Sequence, residues 1–369
     1  MKKYLYQYES WPNFTWDEAA LAVRLAEIPL IQGRLLGRLD YLGFTLRTQT
    51  TLNTLTDEIV NSSAIEGEHL DTDEVRSSVA RKLGIETAGM VPSGHRVDGV
   101  VDLMLDATQN YLEPFSEERL FGWQAALFPS GFSGLYRITV GKYRSEEMQV
   151  VSGPAGKEKI HYEAPSFEVV PGEMKRFIDW CNAKPDIAPL IKAAVAHLWF
   201  VIIHPFDDGN GRLARAITEK LLARSDKSSD RYYSISTQIL DERKEYYAAL
   251  NKAQYSDSDI TSWLDWFIGC IHRALEKSLA ALDSVIAKAE FWDYHRDAGF
   301  NQRQQRMLNM LLDGFQGNLT STKWGKITKT SHDTALRDIQ DLIDRGILEK
   351  TPAGGRSTAY CLVTQIIKN

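Results

Sequence analysis

The chain has 369 residues, of which 43% are hydrophobic and 25% charged, the composition of a globular protein large enough for two or three domains. A net charge of -6 gives no general reason to expect binding to nucleic acid or to an anionic membrane. Cys181, Cys270 and Cys361 are too far apart in sequence to suggest a disulfide framework or a zinc site. The N-terminus lacks the apolar segment of a secretory signal, and the longest apolar run, at 187–203, is short for a membrane span. We therefore expect a cytoplasmic protein without a membrane partner.

Most of the first 300 residues carry helical patterning. Apolar residues recur at three- and four-residue spacing from Trp16 to about Arg81 and, after a Gly-, Pro- and Ser-rich connector at 86–96, again to about residue 128. Residues 131–170 break this pattern with short β-prone runs around the turn-rich SGPAGKE, and they predict a hairpin. Further helices are predicted at 167–182, 185–203, 212–225, 241–254 and 259–296.

The pattern changes from residue 301 onwards. Residues 301–315 predict a helix, TKWGKITKTS predicts a short segment and turn, and SHDTALRDIQDLIDRG predicts a second helix with Ser331 as its N-cap. Two strands around a Gly-rich turn follow at 347–363. Helix, turn, helix and hairpin in this order are the outline of a winged helix.

The charge of this last segment leaves its partner open. Residues 301–369 hold ten basic and six acidic side chains, a mild excess that favours DNA binding. The second predicted helix argues against DNA binding, because its four acids would be repelled by a groove lined with phosphates. They are Asp333, Asp338, Asp341 and Asp344. Docking of a partner protein or of a second subunit, as in a homodimer, accounts for the segment equally well.

Residues 204–215 read HPFDDGNGRLAR and directly follow a run of apolar residues. The Gly-Asn-Gly triplet places a turn at the start of an amphipathic helix, where backbone N–H groups and the helix dipole favour an anion. Arg212 and Arg215 lie on one face of that helix and can bind the same polyanion. Asp208 suits a hard cation such as Mg²⁺ beside substrate phosphates, and His204 suits a base acting on a group that approaches them.

Each of these features has a structural explanation when it occurs alone. A histidine after a buried helix usually packs, and a lone Gly-Asn-Gly usually caps a helix. The stretch is not a P-loop either, because the Walker lysine is missing. Packing and capping do not, however, require a base, an acid, a small-residue turn and two arginines at these spacings. The twelve residues therefore predict a phosphoryl- or nucleotidyl-transfer site.

The motif HPFDDGNGRLAR resembles the signature HxFx[DE]GNGRxxR of the Fic family at every defined position. Fic enzymes of this type transfer AMP from ATP to a hydroxyl side chain of a target protein. The Doc branch of the family transfers phosphate instead, but it departs from the GNGR pattern that is intact here. The resemblance implies a mainly α-helical Fic core with one β-hairpin flap.

The same resemblance implies roles for the motif residues. His204 is then the base that takes the hydroxyl proton, Phe206 anchors the loop in the core, and Asp208 holds Mg²⁺. Asp207 occupies the variable position and receives no role. The other motif residues would bind ATP: Gly209, Asn210 and Gly211 around the phosphates, Arg212 and Arg215 on the β- and γ-phosphates of the leaving pyrophosphate, and Leu213 and Ala214 between the two arginines.

Two further segments match the resemblance. In Fic enzymes a hairpin upstream of the motif, the flap, aligns the target segment by strand addition. Our choice for its inner strand, which would lie beside ATP, is Lys159, Ile160, His161 and Tyr162. Tyr246, Tyr247 and Gln254 fall where related enzymes close the adenine pocket, although core packing explains a tyrosine pair on a helix equally well.

An upstream segment resembles the inhibitory motif [ST]xxxE[GN] of the family. Ser62 and Glu66 are four residues apart, on one helical face, and Gly67 terminates the helix. In relatives of this kind the glutamate pairs with the second motif arginine, here Arg215, and takes it away from the γ-phosphate. In some relatives the same glutamate helps a water molecule to remove AMP, so Glu66 is a brake, a hydrolytic base, or both.

The sequence thus predicts a mainly α protein that transfers AMP from ATP, with Mg²⁺, to a Ser, Thr or Tyr hydroxyl of a target protein and of itself, held low by Glu66. The alternatives are a de-AMPylase that uses the same site and a nucleotide-sensing DNA-binding regulator. The expected domains are an N-terminal helical region with the inhibitory motif at 1–95, a Fic core at 96–280, a connecting helix at 281–300 and a winged helix-turn-helix at 301–369.

Overall fold

The computed structural model describes residues 3–86, 89–152, 159–184, 186–313, 315, 317–351 and 358–363; for residues 41–45, 152 and 159 the description covers the backbone only. Within these residues the protein is mainly helical, as predicted, and its strands form small antiparallel pairs. The chain forms two compact units, Met1–Ser278 and Leu279–Asn369. The finer division expected from the sequence stays a prediction.

One long helix, α1 (Glu18–Ile65), dominates the N-terminal region. Asp17 caps its start by accepting hydrogen bonds from two backbone amides at 2.9 and 3.2 Å. The helical pattern expected as far as residue 81 is divided in two, because α2 (Thr72–Leu83) begins only after a break. Gly67, with a φ of 82°, makes the turn that ends α1. The end of α1 therefore carries the predicted inhibitory motif.

The helices that follow enclose a buried central pair. They are α3 (His95–Gln109), α4 (Glu117–Leu127), α5 (Val170–Asn182), α6 (Pro189–Ile203), α7 (Asn210–Asp226), α8 (Ile235–Asp241), α9 (Arg243–Gln254) and α10 (Thr261–Tyr294). The central pair is α6 and α7, which pack along each other and bury nearly all their side chains. Within the described residues, no helix combines the length and the apolar character that a membrane span requires.

Residues 131–170 form two hairpins, where the sequence predicted one. The strands pair antiparallel as β1 (Phe132–Ser133) with β2 (Tyr136–Arg137), and β3 (Gln149–Ser152) with β4 (Lys159–Glu163). The residues between the two hairpins do not belong to either sheet. The amide of Thr139 donates to Asp207 of the motif, and the amide of Arg144 donates to the carbonyl of Pro205. Of the turn predicted at 152–158, residues 153–158 lie outside the described residues.

The second unit has the predicted order of elements with one correction. Its elements are α11 (Gln302–Leu312), α12 (Ser321–Thr328), α13 (His332–Asp344), β5 (Leu348–Lys350) and β6 (Tyr360–Leu362). Ser331 caps α13, as predicted, by accepting from the amide of Thr334. The prediction of a short segment and turn at 322–331 was wrong for residues 322–328, which belong to α12. These residues are helical because Thr320 caps the helix and the buried Trp324 anchors it in the core.

The acids of α13 do not all face solvent. Asp338 is buried and pairs with Arg303 at 2.7 Å, and Asp341 pairs with Arg345 at 3.0 Å. Two of the four acids that we counted against DNA binding are therefore compensated within the unit. The winged-helix assignment and its partner both stay predictions, and the Gly-rich turn between β5 and β6 lies at residues 352–357, outside the described part of the chain.

Candidate active site

The turn between α6 and α7 is fixed by two left-handed residues and by hydrogen bonds of one asparagine side chain. His204 ends α6 in the left-handed region, with φ 50° and ψ 59°, and Gly209 begins α7 with φ 89°. Asn210 braces the turn, because its amide nitrogen donates to the carbonyl of Phe206 at 2.7 Å and its amide oxygen accepts from the amide of Phe206 at 3.1 Å. Phe206 itself is fully buried. Both polar atoms of the Asn210 side chain are therefore bonded within the turn, and only its backbone is left for the predicted anion site.

The surroundings of His204 favour a neutral imidazole. Its Nδ1 lies 3.3 Å from the carbonyl oxygen of Val201, which assigns the proton to Nδ1 and leaves the Nε2 lone pair available. Burial lowers the pKa of His204 to about 4; the bond to Val201, Glu66 and Asp208 act in the opposite direction, and Arg144 adds to the lowering. The residue as a whole is partly buried. At pH 7 the ring is neutral and can accept a proton.

The start of α7 has a space that only glycine leaves free. A Cβ on Gly211 would lie 1.9 Å from Oε1 of Glu66 and 3.3 Å from Nη1 of Arg215. The carboxylate of Glu66 thus lies directly against the first turn of α7, where backbone N–H groups and the helix dipole favour a negative charge. Glu66 occupies the position that the sequence assigned to a phosphate.

Arg215 is held by the end of α1. Its Nε donates to Oγ of Ser62 at 2.8 Å and its Nη2 to the carbonyl of Ser62 at 2.7 Å. Nη1 lies 2.8 Å from Oε1 of Glu66, as an ion pair without the alignment of a hydrogen bond. Burial opposes the charge of Arg215, yet Glu66, Tyr246 and Tyr247 together outweigh it and the pKa of Arg215 is raised. The structure thus brings together Ser62, Glu66 and Arg215, while Gly67 makes the turn beside them.

Arg212 has its own carboxylate partner. Its Nη1 donates to Oε2 of Glu68 at 2.6 Å, and its guanidinium lies 5.0 Å from the ring centre of Phe128. Burial lowers the pKa of Arg212, partly offset by Glu68. The side chains of Leu213 and Ala214 are buried in the core, and the amide of Leu213 donates to Gly209 within the helix.

The two aspartates of the motif have different partners. Asp208 accepts from the amide of Gly209 at 2.6 Å and from the hydroxyl of Ser133 in β1. Asp207, which the sequence left without a role, accepts from the amide of Thr139 at 2.8 Å and so ties the segment after β2 to the turn. In the part of the chain that the structure describes, no group of three or more His, Cys, Asp or Glu side chains could hold a metal ion. A single carboxylate fits Mg²⁺ that is bound mainly by substrate phosphates.

The two tyrosines assigned to the adenine pocket differ in exposure. Tyr246 is 2% exposed and its hydroxyl lies 2.8 Å from Nε2 of His197, whereas Tyr247 is 43% exposed. Burial lowers the pKa of His197 to about 3 and raises that of Tyr246, so both groups are neutral. Gln254, at the end of α9, is buried. Only Tyr247 of this pair presents much of its ring to solvent.

The flap strand is tied to the end of α6. In β4, Ile160 is 48% exposed, His161 is partly buried and Tyr162 is buried. The hydroxyl of Tyr162 donates to the carbonyl of Ile202 at 2.7 Å, two residues before His204. Lys159 belongs to β4 by its backbone, and its side chain lies outside the described residues. Within the described residues β3 and β4 pair as strands only with each other, and at the end of β4 the backbone of Glu163 is hydrogen-bonded to Tyr4.

Comparison with known families agrees with this site. Residues 114–222, which include α6, the turn and most of α7, match the model of the Fic/DOC family. The chain carries a Fic/DOC domain. Residues 4–85, which include α1, match a domain of unknown function, DUF4172. The Fic domain and the helix that bears Glu66 are thus covered by two different family models.

The similar proteins with curated names are protein adenylyltransferases. The chain is 26% identical over 225 residues to protein adenylyltransferase Fic of Nematostella vectensis, covering 60% of this chain and 48% of that protein. It is 35% identical over 92 residues to protein adenylyltransferase fic-1 of Caenorhabditis elegans, covering 24% and 17%. The chain therefore spans about half or less of the length of these relatives. A solved Fic family protein from Desulfovibrio desulfuricans shares the fold, with a TM-score of 0.54 and 22% identity over 94% of this chain and 96% of that chain.

Three residues at the Fic site escaped the sequence analysis. Arg144 contacts the motif turn, Glu68 contacts Arg212, and His197 contacts Tyr246. Glu68 had a signal, because it repeats the acid of Glu66 directly after the glycine. Arg144 and His197 lie in β-prone and apolar runs with no motif of their own.

Proposed function

We propose that the protein transfers AMP from ATP to a Ser, Thr or Tyr hydroxyl of a target protein, and to hydroxyls of its own. The observation that supports this most is the arrangement around one turn. A neutral histidine ends α6, and two buried arginines of α7 follow a glycine-rich helix start. This arrangement offers a proton acceptor beside a polyanion site, as nucleotidyl transfer requires. The names of the similar proteins agree with the same reaction.

In the proposed mechanism, Nε2 of His204 accepts the proton of the target hydroxyl. The hydroxyl oxygen then forms a bond to the α-phosphorus, and the bond from that phosphorus to the oxygen bridging to the β-phosphorus breaks. Pyrophosphate leaves with its charge facing Arg212 and Arg215. Mg²⁺, when bound through Asp208, neutralises phosphate charge. The flap, with Ile160 in β4, holds the target segment by strand addition.

We further propose that Glu66 keeps this activity low. Its carboxylate lies against Gly211 and Arg215, so it uses both the helix start and the guanidinium that phosphates need. ATP can then bind fully only when Glu66 moves away. The same carboxylate lies close enough to His204 to raise the pKa of its imidazole. Because of this proximity, our second candidate function is the removal of AMP by the same site.

The test is labelling with two forms of ATP. The Glu66→Gly variant is incubated with ATP labelled at the α- or at the γ-phosphate, alone and with a cell lysate, and the double variant with His204→Ala is the control. We expect label on protein from α-labelled ATP only, and none in the control. Label from γ-labelled ATP would indicate kinase chemistry, and no label from either would contradict the proposal.

Removal of AMP is tested on the labelled product. Protein labelled by Glu66→Gly is purified and mixed with wild-type protein without ATP. Release of AMP by wild type, and none by Glu66→Gly, would support the second candidate. Stable label in both mixtures would exclude it.

A further inference from the structure

Arg144 binds the motif turn and the flap at once. It lies between β2 and β3 and is 3% exposed. Its Nε donates to the carbonyl of His204 at 2.9 Å, and its own amide donates to the carbonyl of Pro205 at 2.9 Å. Nη1 donates to the carbonyl of Glu146 at 2.9 Å, and Nη2 donates to the carbonyl of Pro165. One buried cation therefore joins the base to the residues on both sides of the β3–β4 hairpin.

The conformation of His204 needs such support. Residues other than glycine adopt a left-handed backbone rarely, and the conformation persists where surrounding contacts hold it. At His204 these contacts come from Arg144, through the carbonyls of His204 and Pro205. The same backbone geometry places Nδ1 against the carbonyl of Val201 and leaves Nε2 as the acceptor.

We propose that Arg144 is a positioning residue for the transfer reaction, which fixes His204 relative to the flap without touching ATP or the target. This role rests on the proposed function, because it matters only if the flap delivers a hydroxyl to Nε2. With the base and both ends of the flap bonded to one guanidinium, the distance between hydroxyl and base is set before the target binds. A misplacement of about 1 Å between reacting groups can cost about 10²-fold in rate.

The first test reads His204 directly and does not depend on activity. The full-length variants Arg144→Met and Arg144→Lys are compared with Arg137→Met, which removes an exposed arginine from the same Gly-x-Tyr-Arg context in β2. ¹⁵N NMR of labelled histidines, assigned with His204→Ala, reports the tautomer and pKa of the imidazole. Charged groups that shift the pKa of the ring include Arg144, Glu66 and Asp208.

In Arg144→Met we expect His204 to lose its single Nδ1–H tautomer and its pKa to rise, since the charge of Arg144 no longer lowers it. Arg144→Lys keeps the charge and loses the fork of hydrogen bonds, so the tautomer should still become mixed. Arg137→Met should match wild type. Wild-type His204 signals in a folded Arg144→Met protein, or in Arg144→Lys if the methionine variant does not fold, would overturn the proposal.

The second test separates positioning from ATP binding. In the Glu66→Gly background, substitution of Arg144 by lysine or methionine should lower kcat about 10²-fold while the KM for ATP stays within about twofold. A raised KM with unchanged kcat would overturn the proposal. If the Glu66→Gly background itself transfers no AMP, the proposed function fails, and the NMR result alone decides whether Arg144 positions His204.

A different observation concerns Glu68. Its Oε2 accepts from Nη1 of Arg212 at 2.6 Å, and its Oε1 lies 3.2 Å from Nη2 of Arg96. The amides of Glu66 and Glu68 both donate to the carbonyl of Ser63, at 3.1 and 3.0 Å, so one helix end presents both acids. Glu66 pairs with the second arginine of the motif and Glu68 pairs with the first. Each motif arginine thus has one carboxylate from the end of α1.

We infer that Glu68 is a second inhibitory residue, which competes with phosphate for Arg212. The inference rests on the proposed function, because it assumes that this phosphate belongs to ATP. The side chain of Arg212 is 4% exposed, and the N–H that donates to Glu68 cannot donate fully to a phosphate at the same time. Arg96, with a side chain 58% exposed, offers Glu68 a partner after displacement. The contact can therefore open without leaving Glu68 unpaired.

The test measures binding of inorganic pyrophosphate and of ATP by calorimetry. Glu68→Gln, Glu66→Gln and the double variant are compared with Asp73→Asn, which removes the same charge from an exposed position of α2. We expect Glu68→Gln to tighten pyrophosphate binding about three- to tenfold and the double variant to exceed either single one, with Asp73→Asn unchanged. Wild-type affinity in Glu68→Gln would overturn the inference. Tighter pyrophosphate binding without any ATP binding would support it while contradicting the proposed function.

Discussion

Replacing Glu66 by glycine should raise the rate of self-labelling about tenfold. The carboxylate that is lost lies 2.8 Å from Nη1 of Arg215, whose side chain is 1% exposed, while that of Glu66 is 32% exposed. A solvent-exposed ion pair contributes roughly 0.2–1 kcal/mol, and burial of the Arg215 guanidinium places this pair above that range. A gain of about 1.4 kcal/mol corresponds to roughly tenfold in rate. Arg215 should stay in place, since both its bonds to Ser62 are untouched.

The assay is the initial rate of incorporation from α-labelled ATP, at an ATP concentration below KM, for wild type, Glu66→Gly and Glu66→Gln. Glu66→Gln separates charge from size, and it should give part of the increase. Arg215→Ala should not mimic either variant, because it removes the phosphate ligand together with the partner of Glu66. Equal rates in wild type and Glu66→Gly would show that the ion pair is only a structural helix end, and the reasoning would fail.

Four further outcomes are expected. His204→Ala should lower transfer by about 10²–10⁴-fold with ATP affinity in calorimetry nearly unchanged, and near wild-type transfer would refute the assignment of the base. Asp208→Ala should abolish metal-dependent labelling. Asp207→Ala should keep this labelling but lower Tm, because the bond to Thr139 is lost. The reverse pattern would show that Asp208 is the wrong choice of metal ligand. The base works in its deprotonated form, and burial lowers the pKa of His204 to about 4. Labelling by Glu66→Gly should therefore persist well below pH 6 and fall only as the pH approaches 4. A labelling profile with its midpoint near pH 6.5, the ordinary pKa of histidine, would contradict the burial argument. A protein ending at Ser278 should still label itself, and loss of labelling from this truncation, if it is folded by circular dichroism, would show that residues 279–369 complete the enzyme.

The chemistry of the Fic motif could be predicted from sequence because it is local. A turn, the start of a helix and two arginines three residues apart are determined by neighbours in the chain, whatever surrounds them. Periodicity likewise predicted the mainly helical fold, and the cap at Ser331 followed from side-chain chemistry. Two local expectations failed where tertiary contacts intervened. Burial of Trp324 made a helix of a predicted turn, and bonds to the motif divided one predicted hairpin into two.

Apart from the pair of Glu66 and Arg215, which the resemblance implied, tertiary structure alone decided what the motif residues contact. Glu68 reaches Arg212 across 144 residues of chain and Arg144 reaches His204 across 60, distances at which no local pattern links the partners. Arg144 gave no sign of its role, because an arginine between strands is usually exposed, and only folding shows that three carbonyls converge on it. The sequence alone therefore indicated which groups are candidates for the chemistry. Packing of α1 and of the segment before the flap decided which of these groups are paired, because an ion pair or a buried hydrogen bond needs a partner that only the fold brings within 3 Å.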